Sequence, residues 1–147
     1  MTTATPAATA SVDYLLHLAD NALVLGQRNA EWCGHGPILE EDIAMANISL
    51  DLIGQARLLY QAAAEQMGAG TTEDRLAYFR DVPEFRNYTL LELPHSPPLA
   101  GTAASDRDYA TTIVRNFLYS ALMVMVWESL QQSRDSQLAA IAAKSLK

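Results

Sequence analysis

Apolar side chains recur at three- and four-residue steps along most of the chain. In "SVDYLLHLADNALVLGQRNAEWC" they fall at Leu15, Leu18, Ala19, Ala22 and Leu25, the spacing of one helical face, and Ser11 or Asp13 suits the N-terminal end. This helix should stop in "CGHGP", where two glycines and a proline turn the chain. A second helix is predicted from near Pro37, with Glu40, Glu41 and Asp42 at the positive end of its dipole. It runs to about Met67, ahead of Gly68 and Gly70. Two long helices joined by a tight turn make an antiparallel pair.

Residues 71 to 107 lose this rhythm. "TTEDRLAYFRD" reads as a short helix capped by Thr71 or Thr72. Pro83, Pro94, Pro97 and Pro98 then argue against any long regular element, so this segment is expected to be a crossover connection. A third long helix is predicted from about Asp108 to Gln132, capped by Ser105 or Asp106. Its apolar set is wide, Ile113, Phe117, Leu118, Ala121, Leu122, Met125, Val126 and Leu130, and Met123, Met125 and Trp127 on it read as core, as does Met45 on the second helix. A fourth helix starts at about Ser136, and its pattern is still running at Lys147. Two long helices, a long crossover and two more helices is the layout of a ferritin-like bundle. The expected fold is therefore all-α, a ferritin-like antiparallel helix bundle with a long crossover, truncated early in the fourth helix. Residues 1–10 are expected to be a disordered leader, and 11–147 the N-terminal part of one domain.

Within the second helix, "AMANISLDLIGQA" sets Asn47, Asp51 and Gln55 four apart among Met45, Ile48, Leu50, Leu52 and Ile53, so the three polar groups share a face expected to be buried. Ferritin-like di-iron sites need Glu-x-x-His pairs on inward faces. Of His17, His35 and His95, only the last follows a glutamate at that spacing, in "ELPH", and Pro94 breaks the helix the spacing requires. Asn and Gln are poor iron ligands beside imidazole and carboxylate, and Asp51 alone does not hold a metal. The expectation is a buried polar network of Asp20, Gln27, Asn47, Asp51 and Gln55 at a degenerate metal-site position. Arg28 or Arg57 would neutralise Asp51, and no catalytic or metal-binding residue is assigned. Cys33 and His35, two apart in a glycine turn, lack a third orienting group and read as a helix-ending corner. Arg75, Arg80 and Arg86 are the basic cluster of the crossover, either a solvated face or a contact for a phosphate-bearing ligand or an acidic partner.

Charge and cysteine usage narrow the classes further. Ten basic against 17 acidic residues give a net charge of -7, which disfavours nucleic acid and anionic membrane surfaces. One cysteine, Cys33, cannot form an internal disulfide and suits a reducing compartment. No continuous apolar run approaches the roughly 18 residues of a membrane span, so a soluble cytoplasmic protein is expected.

The runs "DNALVLGQRNAEWCGHGPILEEDIAMANISLDLIGQARLL", "LAYFRD" and "SRDSQLAAIAAKSLK" resemble the N-terminal part of the C subunits of bacterial phenylacetyl-CoA epoxidases, the ring 1,2-phenylacetyl-CoA monooxygenases. The resemblance implies a ferritin-like structural protein that has lost its metal ligands and pairs with a catalytic partner. In that family the partner holds the di-iron centre of an oxygen- and NADPH-dependent enzyme. The resemblance further implies that no cofactor is bound by this chain and that family members run on beyond Lys147. Apolar stripes left uncovered at that point should drive self-association or require a partner layer. Two other readings stay open: a ferritin-like di-iron oxidase in its own right, with ligands supplied from elsewhere, and a helical scaffold for an unrelated partner.

Overall fold

A computed structural model describes residues 9–95 and 108–146, and among these every regular element is helical. In chain order they are α1 (Val12–Ala30), α2 (Leu39–Met67), α3 (Glu73–Tyr78), a 3-10 turn at Val82–Glu84, α4 (Thr89–Glu92), α5 (Tyr109–Leu130) and α6 (Ser136–Ser145). Local chemistry accounts for the ends. Ser11 caps α1 by accepting from the Tyr14 N–H at 3.3 Å, and Thr72 caps α3 in the same way at Arg75. Gly68, at φ of 87°, caps the end of α2, and Gly34, at φ of 79°, supplies the left-handed backbone of the turn between α1 and α2. The Asp42 carboxylate in the first turn of α2 accepts from the Gly34 N–H at 2.8 Å, which ties the turn to the helix it precedes.

Two expected boundaries differ. The cap of α5 is Asp108, whose carboxylate accepts from the Ala110 N–H at 2.9 Å. Ser105 and Asp106 lie outside the described residues. At the other end of the chain Ala10, assigned to the leader, is tied down: its N–H donates to the Asp135 carboxylate at 2.7 Å, and that carboxylate also caps α6.

Contacts between helices set their directions. Gly26 lies against Leu52 and Ile53 while Asp20 meets Tyr60, so α1 and α2 are antiparallel. Asn29 pairs with Asn116 and Trp32 with Thr112, so α5 also opposes α1. Tyr109 bonds to Glu41, and Tyr119 lines a cavity with Leu52 and Gln55, which makes α5 parallel to α2. Gln137 reaches Glu65 while Lys144 lies across from Asp51 and Gly54, so α6 runs back against α2. The order is up, down, down, up, and the connection between the two parallel helices contains α3, the 3-10 turn and α4. The shared core is built from Leu15, Leu18, Ala22 and Leu25 of α1, Leu52, Leu59 and Tyr60 of α2, and Met123 and Trp127 of α5.

Helix α5 meets expectation only in part: Met123 and Trp127 are buried and Val126 and Leu130 pack against the core, but much of the wide apolar set faces out. Its buried residues are Thr112, Arg115, Asn116, Tyr119, Met123 and Trp127, while Phe117 and Leu118 of the apolar set and Met125, which was expected in the core, are 69%, 50% and 62% exposed. On α2, too, Met45 and Leu52 are buried but Ile48, Leu50 and Ile53 are exposed. On α5 hydrogen bonding offsets the burial: Thr112, Arg115 and Asn116 each have partners on the inner side, although the Arg115 Nε and the Tyr119 hydroxyl have none. By length and composition α5 is apolar enough to cross a membrane, with a mean hydropathy of 1.2 over its most apolar window. Arg115 and Asn116 sit inside that helix, and its polar face packs on protein.

Candidate functional site

Of the five residues expected to form one buried network, only Asp20 is fully buried. One of its carboxylate oxygens accepts from the Tyr60 hydroxyl at 2.5 Å and from Arg80, the other from the Arg80 Nη1 at 3.2 Å and the Arg86 backbone N–H at 2.8 Å. Arg80 is itself tied to the Leu76 and Glu84 carbonyls, and its guanidinium lies 4.3 Å from the Phe85 ring centroid. Burial disfavours the charge on Arg80, but the field and hydrogen bonds of Asp20 outweigh that and raise its pKa. Burial and the same carboxylate push the Tyr60 hydroxyl upward. Arg80 is therefore neither a solvated face nor free for a phosphate. It fastens the crossover to α1 and α2.

The other four residues do not join Asp20. Gln27, Asn47 and Asp51 are exposed and Gln55 is half-buried. Neither expected counterion reaches Asp51: Arg28 pairs with Glu31 at 3.0 Å and Arg57 with Glu73 at 3.7 Å. The network fails because Asp20 and Asp51 project from different sides of the α1–α2 pair; the residue opposite Asp20 is Tyr60. Asp51 and Gln55 instead line an open cleft of about 430 Å³ between α2 and α6, together with Lys144 and Ser145. One carboxylate beside an amide and an ammonium does not suit a di-iron centre, which needs several carboxylates and imidazoles. No group of three or more His, Cys, Asp or Glu side chains converges among the described residues.

A second buried cluster lies where α1, α4 and α5 meet. His95, 4% exposed, places Nε2 3.0 Å from the Arg28 carbonyl and Nδ1 2.6 Å from the Thr112 hydroxyl and 3.0 Å from Arg115 Nη2. Since a guanidinium can only donate, Nδ1 is the acceptor and Nε2 carries the proton. Trp32 Nε1 donates to Thr112 at 3.0 Å, extending the chain of hydrogen bonds. Burial, then the Arg115 charge, lower the His95 pKa and keep the ring neutral. Beside it Asn29 and Asn116 exchange hydrogen bonds of 2.7 and 2.9 Å. The glutamate of "ELPH" takes no part through its carboxylate: α4 ends at Glu92, ahead of the extended Leu93 and Pro94, and the Glu92 side chain accepts from Asn87.

Neither cluster was fully marked in the sequence. Thr112, Arg115, Asn116 and Tyr119 stand at i, i+3, i+4 and i+7, a helical face as regular as the apolar one, and that spacing was the available signal. Nothing local marks Arg80 as the partner of Asp20, sixty residues away.

The chain matches the family described as phenylacetic acid catabolic protein over residues 1–147. It is also similar to the C subunit of the 1,2-phenylacetyl-CoA epoxidase of Escherichia coli (strain K12), with 48% identity over 134 residues covering 91% of this chain and 49% of that protein. The chain thus spans about half the length of that relative.

Proposed function

Because the chain belongs to the phenylacetic acid catabolic protein family, we propose that it is a non-catalytic structural subunit of a multicomponent phenylacetyl-CoA epoxidase in aerobic phenylacetate degradation. In this reading it pairs with and stabilises a di-iron catalytic subunit, binds no cofactor itself and works in the cytoplasm. The observation that carries the structural role is the cleft between α2 and α6, where Asp51 stands with Gln55 and Lys144 and offers no ligand set for iron. The up, down, down, up order, with a long connection between the parallel α2 and α5, supports the ferritin-like topology. The exposed apolar face of α5 supports a protein layer over it, supplied by a partner or by further chain of the same kind.

Co-expression tests the pairing. The catalytic subunit should co-purify with this chain, and its soluble yield should fall when this chain is omitted. Iron measured on the separated components should follow the catalytic subunit; stoichiometric iron on this chain alone would overturn the structural role.

A further inference from the structure

We propose that the outer face of α2 is the surface through which two copies of this chain pair, antiparallel, about a two-fold axis. The buried side of α2 carries Met45, Leu52, Ala56 and Leu59. Away from that side stand Leu39, Ile43, Ala46, Leu50 and Ile53, separated by steps of four, three, four and three residues. Leu39, Ile43 and Leu50 are more than half exposed, Ile53 is 37% exposed and Ala46 is half-buried. Beside them Gly54 has open space where a Cβ would stand. Alternating steps of four and three kept over five positions make the seam of a helix pair, a pattern that singly scattered surface apolar residues do not have. The face is distinct from the apolar side of α5, since α2 meets α5 through Glu41, Leu52 and Gln55.

Charge selects the occupant. Glu40 is exposed at the N-terminal end of the seam. Arg57 continues the spacing at the other end; it meets Glu73 at 3.7 Å, and its side chain is 69% exposed. Asp51 is turned toward the cleft that Lys144 lines. One acid and one base at opposite ends of a seam make the face complementary to itself when reversed, so the partner that fits is a second copy. The antiparallel alignment sets Ile43 of one copy level with Ile53 of the other, Ala46 with Leu50, and Arg57 with Leu39 and the adjoining Glu40. Asn47, which is exposed, then meets its own counterpart near the axis, and an amide both donates and accepts. A parallel pair would set Glu40 against Glu40 and Arg57 against Arg57, which like-charge repulsion disfavours.

Sedimentation of the full chain tests the pairing in a Phe117→Glu, Met125→Glu background, which removes association through α5. That variant should be a dimer. Adding Leu50→Glu, at a seam position that is 66% exposed, should give a monomer with an unchanged helical circular dichroism spectrum. Glu40→Arg sets like charges together at both ends of the pair and should raise the dissociation constant several-fold. Direction is read by cysteine cross-linking with Cys33, the exposed native thiol, replaced by serine. Copies carrying Ile43→Cys and copies carrying Ile53→Cys should form a disulfide when mixed. Neither should do so alone, because like positions then lie roughly 15 Å apart along the helices. The proposal is overturned if the background variant is already a monomer, if Leu50→Glu leaves its mass unchanged, if Glu40→Arg leaves the dissociation constant unchanged, or if Ile43→Cys alone cross-links. It is equally overturned if Leu50→Glu in the otherwise unaltered chain abolishes co-purification with the catalytic subunit, since the face then belongs to that subunit. Absence of co-purification by the wild-type chain would count against the epoxidase reading and leave the α2 pair standing, so the two are judged separately.

Discussion

Asp20 and Asp51 are both aspartates on long helices, and the structure gives them opposite weights. Asp20 satisfies a guanidinium, a phenol and a backbone N–H where water does not reach. Asp20→Ala leaves Arg80 buried without its carboxylate and should cost about 3–5 kcal/mol in denaturant unfolding. Asp51→Ala, at an exposed position, should change stability by no more than about 0.5 kcal/mol. The opposite ranking would return the polar centre of the molecule to α2. His95 makes the stability pH-dependent. Its folded pKa is lowered, so below the ordinary value of about 6.5 the unfolded chain binds the proton more readily. Its contribution is complete above that value and is lost as the pH falls through it toward the folded pKa. Melting temperatures should therefore drop as the pH falls below about 6.5, and His95→Gln should flatten much of that slope.

At the scale of the elements, helix existence and most helix ends were legible, because they follow from local spacing and capping. Ser11, Thr72 and Gly68 stand where the chain actually begins or ends a helix, and Gly34 lies in the turn between α1 and α2. The inward face of α5 was only partly legible from hydrophobicity: Met123 and Trp127 are buried as read, but so are its polar residues, and much of its apolar set is exposed. Two glycines test how closely α1 and α2 pack. A Cβ at Gly26 would lie 3.2 Å from Ile53 and 3.3 Å from the Ser49 carbonyl, whereas Gly54 has nothing within 4 Å. Gly26→Val should destabilise by about 1–3 kcal/mol through overpacking. Gly54→Ala should stabilise by roughly 0.5–1 kcal/mol, because alanine restricts the unfolded chain and meets no obstacle. Equal effects at the two positions in thermal melts would contradict this crossing geometry.

For the whole molecule, the apolar side of α5 governs behaviour in solution. Val114, Phe117, Leu118 and Met125 lie on it, all at least half exposed. Sedimentation should find the isolated chain self-associated, with the association growing at higher concentration. Phe117→Glu combined with Met125→Glu should shift it toward monomer without lowering the melting temperature, and should weaken co-purification with the catalytic partner. A wild-type monomer at all concentrations would remove the case for a covering layer.

The sequence by itself determined that this chain is helical and where most of its helices start and stop, because each of these depends on residues within a few positions of one another. Only the tertiary structure decided that Asp20 belongs to Arg80 and Tyr60, that Asp51 opens onto a cleft, and that α5 buries its polar face. Those outcomes depend on which distant donors and acceptors meet once the helices pack, since most of the polar groups they bury find partners only there.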